Sequence, residues 1–196
     1  MKKTNDKVKN QKAITAETTT RGEIYDWMQS LVFALIICII VFVFIFRIVD
    51  VSGDSMNPTL INGDKLVVSD VFYNPKQSDI VIFRKDEYKS EALVKRVIAT
   101  EGDTVDINFE TGEVSVNGVV QDEPYIAEET FTYFDVDFPQ TVPENCIFVL
   151  GDNRNNSTDS RDYRVGPVDE RCIFGKAYFR VLPFSEITAF KNPYSE

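Results

Sequence analysis

The stretch LVFALIICIIVFVFIF, residues 31–46, is sixteen residues without one polar side chain. Flanked by WMQS and RIV, it extends to about twenty tolerable positions, which at 1.5 Å per helical residue is roughly the 30 Å hydrocarbon thickness of a bilayer. A buried soluble helix would need a polar face or a very large core around it, and none interrupts the run. A cleaved export signal has an apolar stretch of about 7–15 residues followed by a small-x-small site. Here the run leads into FRIVDVSGD, which offers no such site, so a retained membrane helix over 27–49 is the reading adopted. Trp27 and Arg47 suit its two interfaces. Lys2, Lys3, Lys7, Lys9, Lys12 and Arg21 precede it, with Arg47 nearly alone beyond it. The positive-inside rule then predicts a flexible polar cytoplasmic tail over 1–26 and an external domain over 50–196, a single-pass arrangement.

What that external domain does is bounded first by an absence: the chain has no histidine. No Ser/His/Asp or Cys/His site and no histidine-ligated zinc centre can be assembled from it. A general base near neutral pH must be a carboxylate, cysteine, tyrosine, or a lysine displaced from its solution pKa. The three cysteines, Cys38, Cys146 and Cys172, form no CxxC pair and no metal-ligand spacing. Cys146 and Cys172 could be paired or free, and both readings stay open. From Arg47 onward 15 basic residues face 27 acidic ones, which argues against nucleic acid as a partner.

Beyond the helix, short apolar stretches alternate with turn signals: KLVVSDVF, DIVIF, ALVKRVIA, DTVDINF, EVSVNGVV, CIFVL and KAYFRVLPF. EVSVNGV alternates polar and apolar residues into an Asn-Gly turn, a hairpin signature. The expectation is a mainly β, antiparallel external domain, with 125–140 an irregular aromatic-rich excursion.

In ALVKRVIA, period-2 geometry puts Leu93, Lys95 and Val97 on one strand face and Val94, Arg96 and Ile98 on the other. An inward Lys95 would be desolvated, which disfavours its ammonium form and lets a neutral amine accept a proton from a serine. An outward Lys95 would only cover apolar surface with its stem. Arg96 is no base, because a guanidinium keeps its proton. In VSGDSMNPTL, residues 51–60, Gly53 permits a tight turn, Met56 offers an apolar anchor and Pro58 restricts the exit. Such a turn exposes Ser55 and can aim its backbone N–H at an oxyanion. GDNRNNSTDSRDYR, 151–164, is rich in oxygens but lacks the spacing of an EF-hand. Its NNST sequon has meaning only in a glycosylating host.

Taken in order, these segments resemble the bacterial type I signal peptidases, over nearly all of residues 22–182. GDSMNPTL at 53–60 is similar to the nucleophile segment, LVKRVIA at 93–99 to the lysine segment and GDNRNNSTDSRDYRVGPV at 151–168 to the long C-terminal signature. VNGV at 116–119, EPYI at 123–126 and GKAYFRVLPF at 175–184 add to the match. The resemblance implies an anchored β-sheet serine protease with Ser55 as nucleophile and Lys95 as general base. It implies that the Ser55 N–H serves the oxyanion hole, that Ser157 orients the lysine amine and that Asp159 and Arg161 form a charged pair nearby. Some members carry a hydroxyl two residues before the nucleophile as second oxyanion donor. Gly53 stands there in this chain, as in the shorter Gram-positive enzymes, and Ser52 is the nearest hydroxyl. The implied partners are exported preproteins, cut after small-x-small (Ala-x-Ala-like) sites, the lipid bilayer of the bacterial cell membrane, and proximity to the secretion translocon. No cofactor or metal is implied. A membrane-anchored binding module would explain the helix and strands without Ser55, Lys95 and Ser157 in this order. A self-cleaving Ser/Lys repressor would carry a DNA-binding region in place of the apolar helix.

Overall fold

The computed structural model describes residues 2–85, 89–190 and 193, with side chains from residue 22 on except at 89–90. The chain divides into two units, residues 1–44 and 45–196. The first is one helix, α1, Lys2–Ile45. An 18-residue window within its Gly22–Ile45 portion has mean hydropathy 2.9 and is not buried against protein, leaving a surface suited to lipid. The polar tail expected to be flexible is helical backbone from Lys2. No proline and no glycine interrupts the chain before Gly22, so nothing in the backbone chemistry stops the helix there.

The second unit is antiparallel β-structure. Its larger sheet has the strand order β1 (Arg47–Asp50), β2 (Lys65–Ser69), β11 (Ile173–Leu182), β3 (Ile80–Lys85), β4 (Lys89–Thr100), β9 (Cys146–Leu150) and β10 (Val168–Asp169), with β12 (Thr188–Ala189) on β11. A smaller sheet has the order β7 (Val119–Val120), β6 (Glu113–Val116), β5 (Thr104–Asn108) and β8 (Gln140–Thr141). Asn117 and Gly118 both adopt positive φ, 53° and 78°, and close the β6–β7 hairpin as the primed turns require. Residues 121–139 contribute no strand, in keeping with the irregular excursion expected there.

Strand β4 runs through the centre and separates the packing. Leu93 and Val97 join Val81, Phe83, Ile147 and Val149. Val94 joins Ile80 and Ile82, together with Val51, Met56 and Leu60 of the turn before β2. Ile98 and Ala99 pack beneath the small sheet with Val105, Ile107 and Val114. A register shift between Val97 and Ala99 makes this last change of partner, since one extra residue in a strand turns the following side chains onto new neighbours. Cys146 and Cys172 are free thiols, each half-buried beside a different one of these clusters.

Candidate active site

The turn that carries Ser55 is fixed from below. Val51, Met56 and Leu60 are buried, and the Val51 N–H and carbonyl bond Asp64 O and Gly63 N at 2.8 and 2.9 Å. Between these anchors Gly53 takes φ +91°, a conformation that a residue with a Cβ reaches only with strain, and donates its N–H to Asn62 Oδ1 at 3.1 Å. The Asp54 carbonyl accepts from Asn57 N, which tightens the chain around Ser55.

Lys95 meets that serine from the centre of the sheet. It is 3 % exposed, and Nζ donates to Ser55 Oγ at 2.6 Å across 40 residues of sequence. Its neighbours in the ladder are Val81 on β3 and, one position along, the Arg96–Leu150 pair on β9. With its surface almost wholly covered and its amine on Ser55 Oγ, Lys95 has the inward one of the two orientations open to the sequence.

The loop after β9 closes over the same point. Asn153 donates its backbone N–H to Ser55 O and its side-chain amide to Asp54 O, both at 3.0 Å. A methyl group at Gly151 would lie 2.2 Å from Ser157 Oγ and 2.4 Å from Ser55 O, so two chain segments already fill the volume a Cβ needs. Gly151→Ala is therefore expected to lower kcat for any reaction at Ser55 at least tenfold, with a loss of thermal stability too small to unfold the domain. Unchanged kcat in that variant would mean the two segments can separate freely.

Ser157 lies in this closure, but its buried Oγ has no hydrogen-bond partner among the described residues, so the bond to the Lys95 amine implied by the resemblance is not formed in this arrangement. The Lys95 amine is turned to Ser55 Oγ instead. Asp159 and Arg161 do pair: Nε and Nη2 reach the two carboxylate oxygens at 2.8 and 2.9 Å, with both side chains fully buried. Asp159 also accepts the Gly151 N–H at 3.0 Å. Arg161 donates to the carbonyls of Arg154, Thr132 and Ser157, tying three turns of backbone to one guanidinium.

Two further ion pairs carry the site and were not singled out from sequence. Arg96, excluded as a base, forks onto Asp152 at 2.8 and 2.6 Å, while Thr59 Oγ1 donates to the same carboxylate at 2.5 Å. This joins β4, the Ser55 turn and the loop after β9. Arg154 forks onto Glu123 at 2.6 and 2.5 Å and donates Nε to Gly151 O. Burial alone would lower the Arg154 guanidinium pKa, but its bonds to Glu123 outweigh that and hold it above the usual range. The available signal was Arg96 within the apolar stretch ALVKRVIA and the charges Asp152 and Arg154 directly after the apolar CIFVL, which demand partners once buried.

Comparison with known proteins identifies the family. The family described as signal peptidase, peptidase S26, matches residues 24–182. Signal peptidase I of Bacillus licheniformis is 36 % identical over 180 residues, covering 87 % of this chain and 95 % of its own. Signal peptidase IB of Staphylococcus aureus (strain COL) is 36 % identical over 191 residues, covering 88 % and 97 %. A crystal structure of a signal peptidase I from Enterococcus faecalis V583 is 30 % identical and covers 53 % of this chain and 97 % of its own, with a TM-score of 0.44. With its apolar N-terminal helix, its antiparallel sheets and a family match over most of its length, the chain belongs to the signal peptidase family, peptidase S26, on the side of the Gram-positive type I enzymes.

Proposed function

We propose that the chain is a membrane-bound endopeptidase that removes signal peptides from exported preproteins with Ser55 as nucleophile and Lys95 as general base. The observation that carries this reading is the 2.6 Å contact between the buried Lys95 amine and Ser55 Oγ in a protein without histidine. A neutral Lys95 takes the Ser55 proton as Oγ attacks the scissile carbonyl. The ammonium then gives that proton to the leaving amine, and water resolves the acyl-enzyme with Lys95 again as base. The Ser55 N–H donates to the tetrahedral oxyanion, an interaction worth about 3 kcal/mol where one such donor has been removed elsewhere. Gly53 offers no side-chain donor, and its N–H is engaged by Asn62. Asn153 positions the nucleophile's turn rather than reacting, Ser157 serves to orient the Lys95 amine during turnover, and Asp159 and Arg161 brace their loop.

Placement supports the substrate. Ser55 follows Phe46 by nine residues, so at no more than about 3.6 Å per residue it stays within roughly 32 Å of the end of the apolar run. A preprotein whose own signal segment is in the bilayer presents its cleavage site in that zone. The first 26 residues are cytoplasmic and the β-domain external, in the bacterial cell membrane close to the translocon. No cofactor, metal or nucleic acid takes part.

The test is cleavage by the full chain in detergent of a preprotein with an Ala-x-Ala site and of the same substrate with bulky residues at those positions. Cleavage of the first and not the second is expected. A protonated amine is not a base, so when chemistry limits the rate, kcat should rise about tenfold per pH unit until the Lys95 amine is deprotonated. A flat profile across that range would remove Lys95 from the role, and absence of any cleavage would favour a binding module.

A further inference from the structure

We propose that Arg180 is a positioning residue for the nucleophile, clasping the exit of the Ser55 turn to the turn that follows β11, a role that rests on Ser55 being the reacting group. Beyond Ser55 the chain closes a helical turn, with Leu60 N donating to Met56 O at 2.9 Å, and reverses once more before β2. Thr59, four residues after Ser55, is held at two ends. Its Oγ1 is on Asp152 at 2.5 Å, and its carbonyl accepts from Arg180 Nη1 at 3.3 Å. Arg180 reaches that carbonyl from β11, where it pairs with Leu66 of β2 on one side and Thr188 of β12 on the other. The same Nη1 donates to Asp64 Oδ2 at 3.1 Å, an oxygen that also accepts Ile61 N at 3.0 Å. At the other edge of the guanidinium, Nε donates to Glu186 O at 3.0 Å and Nη2 lies 3.3 Å from the Glu186 carboxylate. One planar group thus joins three segments, which the single ammonium of a lysine could not.

The pair is an expensive one to keep. Asp64 is fully buried, its Oδ1 has no hydrogen-bond partner, and Arg180 is its one ion-pair partner, all among the described residues. A half-satisfied buried carboxylate costs more than an apolar side chain of its size would, so what the pair contributes is direction: it fixes where Thr59 and Ile61 lie. The outer half of the clasp lies beyond the family match, which ends at residue 182. Glu186 belongs to the short helical turn Phe184–Glu186. Four residues on, Phe190 donates its N–H to Tyr178 O at 3.0 Å and packs on the cluster that includes Val51, Met56 and Leu60. The segment after β11 therefore bears on the Ser55 turn twice, through Arg180 and through Phe190. Loss of the clasp displaces Thr59, and a misplacement of about 1 Å carried to a reacting group can cost on the order of a hundredfold in rate.

The test compares the wild-type full chain in detergent with Arg180→Met, Arg180→Met/Asp64→Asn and Ser55→Ala. Arg180→Met leaves Asp64 buried without its cation, so its thermal midpoint should fall, and the added Asp64→Asn removes that charge and should restore most of the fall. For a preprotein with an Ala-x-Ala site, kcat should drop about tenfold to a hundredfold in both Arg180 variants with KM within about twofold, and should stay low in the double variant despite its recovered stability. Amide hydrogen exchange over residues 54–63 should be about tenfold faster or more in both, while exchange over β5 and β6 in the double variant keeps its wild-type rate. Recovery of kcat together with the thermal midpoint would overturn the proposal, because a merely structural arginine behaves that way. Unchanged exchange over 54–63 would overturn it whichever residue reacts. Cleavage by Ser55→Ala at the wild-type rate is a separate result: it removes Ser55 as nucleophile, and the positioning role with it, while the exchange data still report whether the clasp holds the turn.

Discussion

Ser55→Ala and Lys95→Met should each reduce preprotein cleavage by roughly four orders of magnitude or more, and the double variant should be no worse than either. The reason is that Oγ and Nζ act as one unit: with no amine the hydroxyl stays protonated, and with no hydroxyl the amine has nothing to activate. Lys95→Met keeps the apolar stem and removes a buried amine whose desolvation opposes folding, so thermal stability should hold or rise while activity vanishes. Lys95→Arg should be as inactive as Lys95→Met, because a guanidinium does not release its proton at accessible pH. Retention of activity within tenfold of wild type in either single variant would sink the dyad. Losses that multiplied in the double variant would show two independent contributions instead of one proton-transfer pair.

Arg161→Ala has the largest expected effect on stability. It leaves the fully buried Asp159 carboxylate without its cation and three backbone carbonyls without their donor. Removing one partner of a buried pair costs about 3–5 kcal/mol. For a β-domain of this size that corresponds to a fall in thermal midpoint of about 10 °C. Asp159→Ala should approach the same loss, since it also strips the Gly151 N–H of its acceptor. The double variant should cost clearly less than the sum, because neither charge is then left alone in the interior. Thermal unfolding of the four proteins in one detergent measures this. Shifts under about 2 °C in both single variants would mean that water reaches the loop and screens the pair. Activity should fall with stability here, because the same guanidinium holds the carbonyls of Arg154 and Ser157 on either side of the closure over Ser55.

Much of this was legible before any coordinates. The candidate membrane helix follows from sixteen consecutive apolar side chains, and the β-class from short stretches punctuated by turns. Asn117 and Gly118 make the turn their chemistry demands because both tolerate positive φ. Ser55 and Lys95 were candidates from residue type and the absence of histidine, and the resemblance to the type I signal peptidases paired them. The Asp159–Arg161 pair is two residues apart, so a local argument could reach it. Arg96–Asp152 and Arg154–Glu123 were out of reach, being separated by 56 and 31 residues and joined only when the loops carrying Asp152, Arg154 and Glu123 fold together.

The sequence by itself determined the alternation along β4, the turn at Gly53 and the placing of every reacting group on the same side of one apolar span. It could not choose the direction of Lys95, because a period of two says which residues share a face and nothing about which face is inward. Tertiary structure made that choice: the Ser55 turn lies over the face of β4 that carries Lys95, and the loop from Gly151 to Asn153 closes against Ser55. An amine shut in by segments 40 and 56 residues distant is a property of packing, and packing is written in no local stretch of the chain.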